Sequence, residues 1–284
     1  MKKSKKIIAL VLAVLTCVVA LSLASCTGKD NKKETTTAAE TTTGNGLAKA
    51  GTFTIGFDPE FPPFAFKNEG GAYTGFDLDL ASEVAKKNGW KVAFRPINWD
   101  NKDNELASGS IDCIWNGFTM SPARIDKYTW SDPYFNSSQV IVVKADSDIK
   151  TLADLKGKTV ETQKDSSALE ALNNKDHTAL KASFKKLVEV SDYNTALMNL
   201  DSGVSDAIAV DVGVAKYQIK LRGAEKYRIL GEILGTEQYG VGFKKGNEAL
   251  RDIVQKSLNE LAKEGIVKTY ADKYGIASDV IIGK

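Results

Sequence analysis

Of the 284 residues in the chain, 43% are hydrophobic and 26% are charged. This composition is typical of a globular protein and excludes a fibrous or wholly disordered chain, while the length allows one large or two small domains. The formal net charge is +2. That balance lacks the excess of basic residues found on nucleic acid-binding surfaces, so we expect no nucleic acid partner.

The beginning of the chain is typical of a targeting signal. Four lysines stand within the first six residues and precede an apolar run at 7–23, which is the order found in secretory signals. The run just reaches the length of a membrane span, so an uncleaved helix is the alternative. However, Leu23-Ala24-Ser25-Cys26 resembles the bacterial lipobox. We therefore predict a signal peptide at 1–25 and an acyl lipid, such as palmitate, on Cys26. That lipid would anchor the protein at the outer face of the cell membrane or on its periplasmic side.

The next segment, 26–50, holds seven threonines and almost nothing apolar, so we predict a flexible tether. Beyond it the only cysteine is Cys113, which leaves no partner for an intramolecular disulfide. Together with the single histidine, His177, it provides too few ligands for a four-ligand protein zinc site. We expect neither a metal nor a cofactor.

From residue 53 onward, strand-like and helix-like segments alternate. Helices are predicted at 76–88, 166–172, 193–200, 212–220 and 247–264, with a further helix beginning at Ser121-Pro122. Strands are predicted at 53–57, 90–94, 111–115, 140–143, 159–162, 187–190 and 207–211. This alternation predicts an α/β fold with largely parallel sheets, in which ligands bind beyond the carboxyl ends of the strands.

Polar residues stand at several of those strand ends. Arg124 follows the third strand and offers a bidentate guanidinium beside a helix start, which suits a carboxylate. Asp211 closes a later strand with a carboxylate, and the two charges together suit a zwitterion. Each feature also has a plainer explanation: Arg124 could pair with Asp126 or Asp132, and Ser166 could simply cap a helix.

Short motifs in the domain resemble the polar amino acid-binding family of ABC-transporter solute-binding proteins, solute-binding protein family 3, over about residues 51–275. The resemblance rests on the order of IGFDPEFPPF at 55–64, GFDLDL at 75–80, ID at 111–112, SPAR at 121–124, SDPYF at 131–135, LKGK at 155–158 and YGVG at 239–242.

The resemblance implies a two-lobed periplasmic-binding-protein-like fold of type II. Lobe 1 would comprise 51–142 and 240–284, and lobe 2 would comprise 143–239, with hinge strands crossing near 142–144 and 237–240. It further implies that the protein, acting as a monomer, encloses a free polar L-amino acid between closing lobes and delivers it to the permease subunits of an ABC importer. Glutamine, cystine and basic amino acids are all open as ligands.

The family resemblance also assigns roles within the cleft. Arg124 would bind the α-carboxylate, helped by N–H groups of Thr119 and Ser167. Asp211 would bind the α-ammonium, helped by the Thr119 hydroxyl and the Gly117 carbonyl. Side-chain selectivity would be set by Asp58, Phe61, Trp99, Asn116 and Gln163, with Phe61 and Trp99 able to sandwich the ligand. One departure from the family is Asp165, which stands where relatives often have glycine.

An extracytoplasmic enzyme on the same fold, such as a prephenate- or arogenate-type dehydratase, is the alternative function. An enzyme needs an acid or base against the reacting atom. Glu161, Asp165 and Asp58 are the candidates near the cleft, and each has a plainer role. Asp211 would also repel the second carboxylate of such a substrate. We therefore expect a binding protein with no catalytic residue.

Overall fold

The structure is a computed structural model that describes residues 46–283. The predicted signal peptide, Cys26 and the tether up to residue 45 lie outside the described residues. The last part of the predicted tether belongs to the fold instead. Leu47 is fully buried, and the Gly46 carbonyl accepts a hydrogen bond from Asn247 Nδ2 at 2.8 Å. A single leucine among polar residues was too weak a sequence signal to predict this packing.

Strands and helices alternate along most of the described chain. The strands are β1 (Thr52–Phe57), β2 (Glu60–Phe61), β3 (Ala65–Lys67), β4 (Tyr73–Thr74), β5 (Lys91–Pro96), β6 (Cys113–Ile114), β7 (Tyr128–Trp130), β8 (Phe135–Lys144), β9 (Thr159–Gln163), β10 (Lys186–Val190), β11 (Ala207–Asp211), β12 (Tyr227–Tyr239) and β13 (Gly242–Lys244). The helices are α1 (Phe76–Lys87), α2 (Lys102–Ala107), α3 (Ser167–Asn173), α4 (Thr178–Ser183), α5 (Tyr193–Ser202), α6 (Val212–Arg222), α7 (Glu248–Lys263) and α8 (Ile266–Tyr274).

Within residues 46–283, two five-stranded sheets form the centres of two lobes. Their strand orders are β5-β1-β6-β13-β7 and β10-β9-β11-β8-β12, and a small antiparallel sheet, β2-β3-β4, accompanies them. In each large sheet the first three strands are parallel and the last two pairings are antiparallel. The prediction of an α/β fold is confirmed, but the sheets are mixed rather than largely parallel, because the chain crosses between lobes through antiparallel strands.

The chain passes between the two sheets twice, between β7 and β8 and again between β12 and β13. Strands β8 and β12 pair from Phe135–Tyr239 to Lys144–Tyr227 within the second sheet. The first crossing therefore lies at 131–134, and the prediction of 142–144 is wrong, because Val142 is buried well inside β8. The second connection follows Tyr239 at Gly240. A Cβ at Gly240 would lie 2.7 Å from Met120 Sδ, so close packing also requires glycine there.

Helix α1 illustrates how a local pattern specifies an element that borders the site. Phe76, Leu80 and Val84 recur at helical spacing, and all three are fully buried. The helix begins after Gly75, which has φ +135°, and a Cβ there would lie 2.2 Å from the Phe64 carbonyl oxygen. Only glycine fits this approach. The GFDLDL motif therefore fixes the start of α1 against the loop that follows β1.

The other predicted elements agree with the structure in part. The helix predicted from Ser121 is wrong: residues 122–127 form turns, although Arg124 N and Ile125 N both bond to the Ser121 carbonyl at 2.9 Å. Strand β12 was predicted only at its end, as the hinge strand near 237–240, because its glycines and register shifts interrupt the apolar alternation before that point. Within residues 46–283, no helix combines the length and apolarity needed to cross a bilayer.

Candidate functional site

The residues predicted to bind a ligand are divided between the two lobes. All ten are buried. The first lobe provides Asp58, Phe61, Trp99, Asn116, Gly117, Thr119 and Arg124, and the second provides Gln163, Ser167 and Asp211.

Arg124 links the two lobes. Its guanidinium lies over the Phe118 ring, 5.2 Å from the centroid, and the residue is only 3% exposed. From the second lobe, the Asp165 carbonyl accepts a hydrogen bond from Nη2 at 2.7 Å. Glu170 Oε1 forms an ion pair with the same nitrogen at 2.6 Å. The ion-pair partner of Arg124 is thus a glutamate of the opposite lobe rather than an aspartate close to it in sequence.

Asp165 is the centre of a second group of contacts between the lobes. Its φ of +53° is left-handed, which explains why glycine would suit this position. Its carbonyl also accepts a hydrogen bond from Trp99 Nε1 at 3.2 Å, and its carboxylate forms an ion pair with Lys102. Lys102 is 2% exposed, and burial, together with the charge of Arg124, lowers its pKa. Lys102 was not predicted, because its only signal in the sequence is an unusually polar run after Trp99.

Asp58 and Gln163 form another bridge between the lobes. Gln163 Nε2 donates to Asp58 Oδ2 at 2.5 Å and to the Ser191 carbonyl at 3.0 Å, while Asp58 Oδ1 accepts from Glu60 N at 2.9 Å. Burial raises the pKa of Asp58 to about 6, and the nearby carboxylates of Asp192 and Glu60 act in the same direction. This bridge therefore joins two of the residues predicted to set selectivity.

Asp211 is accompanied by a second acid, Glu237, which the sequence analysis treated only as part of a hinge. Tyr239 Oη donates a hydrogen bond to Asp211 Oδ1. Burial raises the pKa of Asp211. Burial and the adjacent charge of Asp211 raise the pKa of Glu237 well above its usual range. Two buried acids placed side by side each disfavour the charged form of the other.

Glu237 is also connected to both lobes. Its Oε2 accepts a hydrogen bond from Thr119 Oγ1 at 2.9 Å, and its Oε1 accepts one from Gln139 Nε2 at 2.7 Å. Gln139 Nε2 lies 3.0 Å from Ser167 Oγ as well. Thr119, Ser167 and Asp211 are therefore joined through two residues, Glu237 and Gln139, that had no recognisable motif in the sequence.

The loop that carries Gly117 is held by a buried acid of α1. Gly117, with φ +55°, donates its N–H to Asp77 Oδ2 at 2.6 Å, and Tyr134 Oη donates to the same oxygen at 2.8 Å. Burial raises the pKa of Asp77 to about 7. A Cβ at Gly117 would come within 2.9 Å of the Phe61 ring. The first Asp of the GFDLDL motif thus positions the neighbouring loop.

The aromatic residues Phe61 and Trp99 have separate partners. Phe61 packs against Phe64 and Tyr193 with ring centroids 5.9 and 6.0 Å apart. Trp99 packs edge-on to Phe118 at 5.5 Å. Nearby, Asn116 Oδ1 is buried without a hydrogen-bond partner among the described residues.

Among residues 46–283, two of the cavities that open between the lobes adjoin predicted site residues. A cavity of about 560 Å³ is lined by residues that include Asp58, Glu60, Trp99, Lys164 and Asp192. Another, of about 310 Å³, is lined by residues that include Thr119, Gln139, Ser167, Glu170 and Glu237. The first thus adjoins residues predicted to set selectivity, and the second adjoins residues predicted to hold the charged α-groups.

The described domain matches a family model, that of the bacterial extracellular solute-binding proteins, family 3, over residues 53–277. The chain belongs to this family. The family 3 relatives include the L-cystine-binding protein TcyJ of Escherichia coli strain K12, which is 31% identical over 235 residues, or 81% of this chain and 85% of the relative. The glutamine-binding protein of Geobacillus stearothermophilus is 32% identical over 250 residues, covering 82% of this chain and 91% of the relative.

Solved structures confirm the two-lobed fold expected for family 3. A histidine-bound substrate-binding protein of an ABC uptake transporter from Streptococcus pneumoniae has a TM-score of 0.75 and 33% identity, covering 78% of this chain and 92% of that one. An ancestral amino acid-binding protein, described as a precursor of cyclohexadienyl dehydratase, has a TM-score of 0.71 and 32% identity, covering 79% and 95%. The similarity thus extends mainly to binding proteins and also to a precursor of an enzyme.

Proposed function

We propose that this protein is the extracytoplasmic binding component of an ABC importer and that it captures a free polar L-amino acid between its lobes. The proposal rests chiefly on Arg124, a guanidinium that is 3% exposed and is contacted by the opposite lobe. A buried, fork-shaped cation in a cleft suits a ligand carboxylate better than a structural role alone. Relatives that are named for amino acids support the same function.

In this proposal the α-groups of the ligand bind near the smaller cavity. Arg124 holds the α-carboxylate, together with N–H groups of Thr119 and Ser167. The pair formed by Asp211 and Glu237 holds the α-ammonium, because carboxyl oxygens accept hydrogen bonds from an ammonium and a carboxylate attracts its charge. The Gly117 carbonyl completes the ammonium site. Both charges of a zwitterion then have a partner within one cleft.

The ligand side chain, in turn, is proposed to meet Asp58, Phe61, Trp99, Asn116 and Gln163. The names of the relatives and neighbours span cystine, glutamine, histidine and arginine. These four amino acids are therefore the first ligands to test.

We further infer that the mature protein begins at a lipidated Cys26 and stays attached to the outer face of the membrane, where it delivers its ligand to a permease. The lipobox-like sequence after the apolar run at 7–23 supports this anchoring. The membership in an extracellular family supports the location.

A dehydratase activity is the second candidate. The neighbour described as a precursor of cyclohexadienyl dehydratase favours it, and the raised pKa of Glu237 beside Asp211 is of the kind that a general acid needs. The first candidate is favoured because Asp211 would repel the second carboxylate of a prephenate-like substrate.

One experiment separates the two candidates. The purified protein is denatured, and the released small molecules are identified by mass spectrometry; a second sample is incubated with prephenate and arogenate. Release of an intact amino acid with no loss of either substrate supports the binding function. Catalytic loss of prephenate or arogenate would overturn it.

A further inference from the structure

The guanidinium of Arg124 has one nitrogen that is already engaged twice. The Asp165 carbonyl oxygen lies 2.7 Å from Nη2, and Glu170 Oε1 lies 2.6 Å from the same atom. Nη2 carries two hydrogens. Two oxygens from the second lobe thus lie against this nitrogen, the Asp165 carbonyl as a hydrogen-bond acceptor and the Glu170 carboxylate as an ion-pair partner.

These two contacts matter for any carboxylate ligand because of where Nη2 lies in the guanidinium. A carboxylate binds arginine with two bonds either end-on, through Nη1 and Nη2, or side-on, through Nε and Nη2. Both arrangements use Nη2. A carboxylate that engages the fork of Arg124 must therefore displace either the Asp165 carbonyl or the Glu170 carboxylate.

Glu170 is the more easily displaced of the two. It lies in the first turn of α3, and its side chain is 27% exposed, so it can turn into water and remain charged. The Asp165 carbonyl belongs to the backbone and also accepts a hydrogen bond from Trp99 Nε1. Glu170 moreover borders the cavity of about 310 Å³ that adjoins Thr119 and Ser167.

We propose that Glu170 is an internal competitor for Arg124, whose carboxylate occupies the position of a ligand carboxylate and is displaced when the ligand binds. This inference rests on the proposed function. Because the ligand carboxylate must replace the Glu170 carboxylate, the net affinity for the ligand is lower. In return, Glu170 keeps the buried guanidinium of Arg124 paired when no amino acid is bound. Glu170 is thus an affinity-determining residue, distinct from the residues that hold the ligand.

The test compares the full domain with its Glu170→Gln variant, using L-cystine, L-glutamine, L-arginine and L-histidine as probes in calorimetric titrations. Glutamine keeps the shape of the side chain but removes the negative charge that pairs with the guanidinium. We expect the variant to bind the preferred probe about tenfold more tightly, which corresponds to about 1.4 kcal/mol. Glu189→Gln removes an exposed charge of the same lobe and serves as the matched control, with affinity unchanged.

The α-amide of the preferred amino acid provides the second measurement. It lacks the carboxylate that would compete with Glu170, so Glu170→Gln is expected to change its affinity less than twofold. Glu170→Ala gives the same comparison if the glutamine variant folds poorly. An unchanged or weakened affinity for the amino acid, or an equal gain for the amide, would overturn the inference. If neither wild type nor variant binds any of the common L-amino acids or L-cystine, the proposed function itself fails.

Discussion

Replacing Arg124 by alanine is expected to weaken amino acid binding while leaving the fold intact. The side chain lies between the lobes, and its removal frees two acceptors of the second lobe. Neither is left buried and alone, since Glu170 is 27% exposed and the Asp165 carbonyl keeps the hydrogen bond from Trp99. The unfolding midpoint should therefore change little.

The size of the binding loss follows from the contacts of Nη2. A charge-assisted hydrogen bond contributes about 1.5–3 kcal/mol, so a two-bond contact with a ligand carboxylate would contribute about twice that. However, one of the two bonds replaces the ion pair that Glu170 already makes with Nη2. The net loss on Arg124→Ala is then close to that of one bond, or about 10- to 150-fold in Kd, since about 1.4 kcal/mol is tenfold.

Isothermal titration calorimetry with the preferred amino acid measures this change, and circular dichroism checks the fold. Arg251→Ala is the control: it removes the same charge from α7, where the side chain is 30% exposed and bonds to Asp252 and to the Trp130 carbonyl. An Arg124→Ala affinity within twofold of wild type, or a loss equal to that of Arg251→Ala, would refute the assignment of the carboxylate to Arg124.

Four further changes test other parts of the account. Asp211→Asn should weaken amino acids far more than analogues without the ammonium, and an equal loss for both in titrations would make Asp211 structural. Asp58→Asn should reduce the pH dependence of stability. Because burial raises the pKa of Asp58 from its ordinary 3.8 to about 6, its protonation stabilises the fold at low pH. This contribution, on the order of 3 kcal/mol, is lost as the pH rises from about 4 to about 6. If urea unfolding shows that the free energy of unfolding changes with pH equally in wild type and in Asp58→Asn, this role of Asp58 is refuted. Cys26→Ser should move the protein from the membrane fraction to the soluble fraction, whereas full retention on immunoblots would favour an uncleaved span at 7–23. Ligand should also favour the closed arrangement, because Arg124 and Thr119 stand on the first lobe and Ser167 and Asp211 on the second, so only closed lobes reach both charges of one amino acid. The expected result is a smaller radius of gyration by X-ray scattering, unless the free protein is already closed.

Local patterns in the sequence were sufficient for most of the strands and helices around the cleft. The apolar spacing of Phe76, Leu80 and Val84 predicted α1, and the apolar run at 207–211 predicted β11. Local patterns were insufficient where contacts between distant segments decide the structure. Strand β12 exists because it pairs with β8 along its length, and the segment after Ser121 stops at turns although it carries a helix-start signal.

The candidate site could be predicted only in part for the same reason. Arg124, Asp211 and Asp58 stand at the ends of predicted strands, so a general rule on α/β folds pointed to them. Glu170, Glu237 and Lys102 meet the site through contacts between segments far apart in sequence, and no local motif marks them. The unusual Asp165 was visible as a departure from the family, but its left-handed backbone and its pairing with Lys102 required the structure.

A calorimetric titration decides whether the cleft binds a free amino acid. The protein would be unfolded, dialysed to remove any bound molecule, refolded and titrated with each of the common L-amino acids and with L-cystine. The account predicts saturable binding of at least one polar amino acid with one site per chain. A correctly refolded protein that binds none of them would contradict it.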